Sequence, residues 1–298
     1  MVKKELQNKL NWLIGITLNI NLLFFSNQAK AFIPNIYIPN QKLLTETSLG
    51  IGFSAAKYIQ FGQTKEAISL AKLAISLNPK LAENWIILSQ AQASNNLLKE
   101  ALKSINKAKG INPNIAEIWF SQASIEMQMG KTEAAIKSIN KNIRINKKNA
   151  NSYFLLGNAR LMQKEHRLAI KAFKTSVIID PNLWQSMNNE ALIYFELGEK
   201  EKAIQKWRKV LKIKADPEPK LALAIALYSM EASNKESIQL AKEALQENPN
   251  YFFEEFQAEQ LWGDKLRQSG KNLFKNPKLK DVITTASANS NFTNEKDE

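Results

Sequence analysis

The chain has 298 residues and 44% hydrophobic content, enough for one large globular domain or two ordinary ones. It holds no cysteine and a single histidine, His166, which excludes disulfides, thiolate catalysis and cysteine-ligated metal and argues against a zinc site. The formal charge of +13 falls to +10 without residues 1–31, which hold four Lys and one Glu; a balance this basic suits a soluble surface, an anionic membrane or an acidic partner.

From the N-terminus, Lys3, Lys4 and Lys9 precede an apolar run from Leu10 to Phe25, and the small-x-small triplet Ala29-Lys30-Ala31 follows. This is the pattern of a secretory signal peptide spanning residues 1–31, with cleavage after Ala31. The alternative is a membrane anchor formed by residues 10–25, although that run contains Asn11, Asn19 and Asn21 and is shorter than the roughly 20 apolar residues of a spanning helix. In both cases the positive flank stays inside and residues 32–298 are predicted on the far side of a membrane. Residues 32–47, with Pro34 and Pro39, read as a linker.

From Ser48 onward the chain is in register with itself at a step of 34. Pro79, Pro113, Pro181 and Pro249 fall on one such ladder, and Ala67, Ala101, Ala135, Ala169, Ala203 and Ser237 on another. Six blocks result: 48–81, 82–115, 116–149, 150–183, 184–217 and 218–251. Each is predicted to be two antiparallel helices. Gly62, Asn96, Gly130 and Gly198 at position 15 supply the left-handed residue that ends the first helix. The pairs Asn78-Pro79, Asn112-Pro113, Asp180-Pro181 and Asn248-Pro249 end the second. Lys99, Lys103, Lys107, Lys137, Lys141, Lys171, Lys174, Lys206 and Lys209 fall in second helices and read as a solvated outer face. Beyond the blocks, Phe252, Phe253, Phe256, Leu261, Trp262, Leu266 and Leu273 predict a capping helix within residues 252–283, broken near Gly270. The Ser/Thr/Asn-rich residues 284–298 are expected to be disordered.

The blocks resemble the tetratricopeptide (TPR) family. Trp85, Trp119 and Tyr153 stand at position 4, Gly157 and Ala55, Ala123, Ala191 at position 8, and Tyr58, Tyr194 and Tyr228 at position 11; alanine recurs at position 20. The resemblance covers about 204 residues and implies an all-α solenoid of six repeats in which a large ring sits over small residues. Lys147 and Ala215 replace the proline and Ile225 replaces the small residue of position 8, so repeats three, five and six are expected to pack less regularly. Polar residues occupy normally buried positions: Gln92, Glu126 and Arg160 at position 11 and Glu190 at position 7. Either Arg160 is held between the two acids, since an unpaired buried charge costs several kcal/mol, or all three reach solvent.

No Gly-rich phosphate loop, nucleophile elbow or His/carboxylate cluster is present, so no catalytic residue, cofactor, metal or small-molecule substrate is expected, and an exported chain is not expected to meet nucleic acid. The family resemblance implies a non-catalytic scaffold that binds a protein segment in its concave groove. In that family, first-helix positions 2, 5, 9, 12 and 13 face the groove, which here implies Ile86, Gln90, Phe120, Met127, Phe154, Asn158, Leu161, Met162, Asn188, Leu192, Phe195 and Glu196. This set suits an apolar or amphipathic segment. The lysines with which chaperone-binding TPR proteins hold an acidic tail have no counterpart at position 5. The chain also resembles the cyanobacterial and plastid TPR factors that assist assembly of photosynthetic membrane complexes, which would place it in the periplasm or thylakoid lumen. An envelope structural protein, attached to membrane or cell wall through its basic convex face, is the alternative.

Overall fold

The computed structural model describes residues 39–290; the N-terminal apolar run, the Ala29-Lys30-Ala31 triplet and residues 291–298 of the tail lie outside them. Among the described residues there are fifteen α-helices and no strand. Twelve form six hairpins: α1 (Gln41–Gln60) with α2 (Thr64–Leu77), α3 (Ala82–Ser94) with α4 (Leu98–Ile111), α5 (Ala116–Gln128) with α6 (Thr132–Ile145), α7 (Ala150–Met162) with α8 (His166–Ile179), α9 (Trp184–Glu196) with α10 (Lys200–Ile213), and α11 (Pro217–Met230) with α12 (Lys235–Glu247). From α3 to α11 the first helices of successive hairpins pack side by side and line one face. The second helices sit outside them. No described helix is long and apolar enough to cross a membrane.

Local signals set the hairpins. Gly62, Asn96, Gly130 and Gly198 are left-handed, and so is Lys164 (φ 59°), which occupies the same position in repeat four without glycine's freedom. Between hairpins the shared device is an Asx turn, in which the side chains of Asn78, Asn112, Asn146, Asp180 and Asn248 accept the N–H two residues on. Lys147 therefore replaces its proline without loss of the junction. In repeat five the turn is absent; Asp216 instead caps Glu218 N, with Pro217 opening α11. Trp85 and Trp119 donate their indole N–H groups to the carbonyls of Pro79 and Pro113, so these rings brace the junctions.

The alanines of position 20 are fully buried, and a Cβ on Gly157 would stand 2.3 Å from the Phe173 ring. In that repeat the large ring comes from the second helix. Ile225 is also fully buried; its Cδ1 lies 3.1 Å from where a Cβ on Gly270 would stand.

The charge ladder does not form. Glu126 accepts from Gln122 and from Ser138 at 2.7 Å, Arg160 pairs with Glu165 at 2.5 Å, and Glu190 pairs with Lys206 at 2.7 Å. Each long side chain takes its nearest partner within its own hairpin, and Glu190 also lies 3.9 Å from Lys174 of repeat four rather than pairing with Arg160.

The chain ends depart from expectation. Residues 41–47 are helix rather than linker, because Asn40 caps Leu43 N and the stretch from Gln41 contains no proline or glycine until Gly50. The capping segment is a 3₁₀ turn (Pro249–Phe252), α13 (Glu254–Glu259), α14 (Asp264–Phe274), a second 3₁₀ turn (Pro277–Leu279) and α15 (Lys280–Asn289). The break falls at residues 260–263, with Leu261 left-handed (φ 64°), while Gly270 lies inside α14. Residues 284–289 are helical, not disordered: Val282, Ile283 and Ala286 share a face that packs on the core of repeat six, and Ser290 bonds Asn250.

Candidate partner-binding groove

The face lined by the first helices divides in two. Over repeats two to four it is open. Phe120 is half-buried beside a crevice of about 150 Å³ between α3 and α5, walled by Ser89, Gln90, Ser124 and Gln128. Gln90 donates to Glu117 (2.9 Å) and Ser121 (3.0 Å), tying α3 to α5. Burial raises the Glu117 carboxyl above its ordinary range, with the Ser121 and Gln90 bonds opposing. Met127 packs partly against Ala159 and Leu156, and Phe154 against Phe173 with ring centroids 6.1 Å apart. Asn158 accepts from Asn189 (2.8 Å), Leu161 is half-buried and Met162 is 43% exposed.

Over repeats five and six the same face is occupied by the chain itself. Helix α14 lies across α9 and α11, with Leu266 and Leu273 buried among Leu192, Phe195 and Ile225. Leu192 and Phe195, each 2% exposed, are therefore core rather than groove. Asn188 is 1% exposed; it donates to Glu218 (2.9 Å) and accepts from the Trp207 indole (3.0 Å). Ile86, 5% exposed, also leaves the groove, joining the core between α3 and α4. Glu196 is engaged differently: its two oxygens accept the backbone N–H groups of Lys265 (3.1 Å) and Leu266 (2.9 Å), placing a carboxylate on the N-terminus of α14. Gly263 lets it approach, since a Cβ there would stand 2.2 Å from the Glu196 carboxyl carbon.

Three further residues hold this arrangement. Glu218 accepts from Asn188 and from the Trp262 indole (3.1 Å), so one carboxyl joins repeat five, repeat six and the terminal segment. Burial pushes that carboxyl up to about 7; the Trp262 and Asn188 bonds oppose the shift and Asp216 adds to it. Tyr251, stacked on Trp262 with centroids 5.7 Å apart, has its hydroxyl pKa raised by burial and then by Glu218 and Asp216. Sequence reasoning missed these roles, although Gly263-Asp264 was legible as a helix start. Where the open and occupied parts meet, a cleft of about 410 Å³ lies among Leu161, Met162, Leu192, Leu261 and Trp262.

Of the nine second-helix lysines, only Lys206 is not exposed. No group of three or more His, Cys, Asp or Glu that could hold a metal occurs among the described residues.

The family model described as "Tetratricopeptide repeat" matches residues 116–149 and 185–217, which are repeat three and nearly all of repeat five. The chain carries tetratricopeptide repeats. Solved structures similar to this TPR array include Pseudomonas aeruginosa pilF, at 17% identity, covering 74% of this chain and 99% of that one with a TM-score of 0.62. A thermophilic TPR protein of Thermus thermophilus matches at 18% identity, 60% and 98% coverage and a TM-score of 0.53. The Cut9–Hcn1 hetero-tetramer of the APC/C matches at 15% identity, 79% and 48% coverage and a TM-score of 0.59. At such identities the likeness is one of TPR fold. No curated protein gives a significant match.

Proposed function

We propose that this TPR array is a protein-interaction scaffold whose open groove over repeats two to four takes an amphipathic or apolar segment of a partner. The supporting observation is intramolecular: two repeats further along, the same face holds an amphipathic helix, α14, with its leucines turned inward and a carboxylate on its N-terminus. The open part has the matching chemistry. Phe120, Met127, Phe154, Leu161 and Met162 offer large, adaptable apolar contact, while Gln90 and Asn158 are already bonded to neighbouring helices and mainly fix the groove's walls. A membrane-complex subunit presenting an apolar segment is the partner class that fits such a groove.

The test is Phe120→Ser together with Phe154→Ser in a pull-down from the native organism. With helical content kept by circular dichroism, recovery of a defined partner is expected to fall. Recovery at the wild-type level would remove this groove from consideration.

A further inference from the structure

The terminal segment touches the repeats in the manner of a bound ligand. Its helix presents a bare N-terminus to Glu196, buries two leucines two turns apart on one face, and crosses α11 at Gly270, where Ile225 comes close. Its margins are open to solvent. Open clefts of about 410 and 790 Å³ run along its edges at repeats four and five, one of about 530 Å³ lies beside the contact of α15 with α12, and one of about 400 Å³ lies on the segment beside Phe252 and Phe274. Water therefore reaches the edges of the contact, while Leu266 and Leu273 are buried at its centre. Two further features offset part of the docking energy that these contacts supply. Leu261 is held in the left-handed region, which disfavours a branched residue. The Glu218 carboxyl is enclosed when Trp262 closes over it, and the groups facing it are Asp216 at the start of its own helix, Asn188 of α9, Tyr251 of the 3₁₀ turn and Trp262 itself, none a cation.

We propose that the concave face of repeats five and six is a second binding site, for an amphipathic helix with an uncapped N-terminus, and that segment 251–290 is its resident, displaceable occupant. This rests on the reading of the groove as a helix-binding surface but concerns a different part of it. Glu196 selects the occupant by its helix N-terminus, where backbone N–H groups and the helix dipole both favour a carboxylate. Leu192, Phe195 and Ile225 select it by an apolar stripe. Because the segment is tethered directly after α12, it competes at millimolar effective concentration, and an incoming helix must outbind it or meet a chain in which it has been released.

The probe is a fluorescein-labelled synthetic peptide of residues 251–290, added to the full chain and to a full chain carrying Leu266→Asp and Leu273→Asp, which undock the resident copy. The substituted chain is expected to bind the peptide at least tenfold more tightly than the wild type, and addition of Glu196→Lys is expected to abolish that gain. Hydrogen exchange on the wild type supplies a second readout that needs no variant: amides of α13 to α15 should exchange at least tenfold faster than those of α3 to α8. Absence of binding to a folded Leu266→Asp, Leu273→Asp chain would overturn the proposal, and so would equal protection of the segment and the repeats. Neither outcome bears on Phe120 and Phe154, so the two sites stand or fall separately.

Discussion

Replacing Glu218 by Gln isolates the free energy stored in one buried carboxyl. The Gln amide oxygen can keep the hydrogen bonds that Asn188 and Trp262 donate, so the fold should tolerate the change. In the wild type the folded carboxyl titrates at about 7, against 4.5 for an unperturbed glutamate. Because the folded pKa is raised, the folded chain holds its proton through a range where the unfolded chain has lost it. The associated stability is fully present below pH 4.5 and is lost as pH rises through about 7. At about 1.4 kcal/mol per unit, the loss amounts to up to about 3 kcal/mol. Gln does not titrate, so wild type and Glu218→Gln should melt together near pH 4.5 and separate as pH rises, the variant becoming the more stable. For a domain of this size the gap at pH 8 should reach roughly 6–12 °C. The assay is thermal unfolding by circular dichroism at a series of pH values on both chains. All other titrating groups are common to both chains and cancel in the difference. Parallel pH profiles, with a constant gap, would refute the reasoning, because they would mean that the carboxyl is ionised in the folded chain at an ordinary pKa.

Gly157→Ala should destabilise the chain by about 1–3 kcal/mol, since its methyl would meet Phe173 at 2.3 Å; adding Phe173→Leu should restore most of the loss, and an unshifted urea midpoint for the single variant would show that the ring moves aside freely. Lys164→Gly should raise stability by roughly 1 kcal/mol, because Lys164 sits at φ 59° where repeats one, three and five have glycine. A lowered urea midpoint there would mean that the lysine side chain contributes more than its backbone costs.

The six hairpins were legible in the sequence because the signals that make them are local and recur every 34 residues: a left-handed residue at position 15, an Asx side chain at position 31, and alanine where two helices touch. Each signal acts through its own few bonds, so a reader of the chain needs only the register. The open half of the groove was legible for the same reason, and Phe120, Met127, Phe154, Leu161 and Met162 remain at least partly accessible. Where a signal weakens, reading it becomes harder. Lys164 takes the left-handed position because the helices on either side of it pack as their neighbours do, not because lysine prefers it. The partners of Glu126, Arg160 and Glu190 were misread because long side chains reach several candidates and only side-chain geometry selects among them. The fate of the terminal segment was beyond the sequence altogether. The spacing of Leu266 and Leu273 shows that α14 has an apolar face, but such a face fits the open end of the solenoid as well as the groove, and hydrophobic burial has no direction of its own. Only the folded chain brings Glu196 to the N-terminus of a helix that begins 68 residues later, and Glu218 to Trp262. Those contacts turn Asn188, Leu192 and Phe195 from groove into core, because burial there depends on a segment far along the chain rather than on the repeat that carries them.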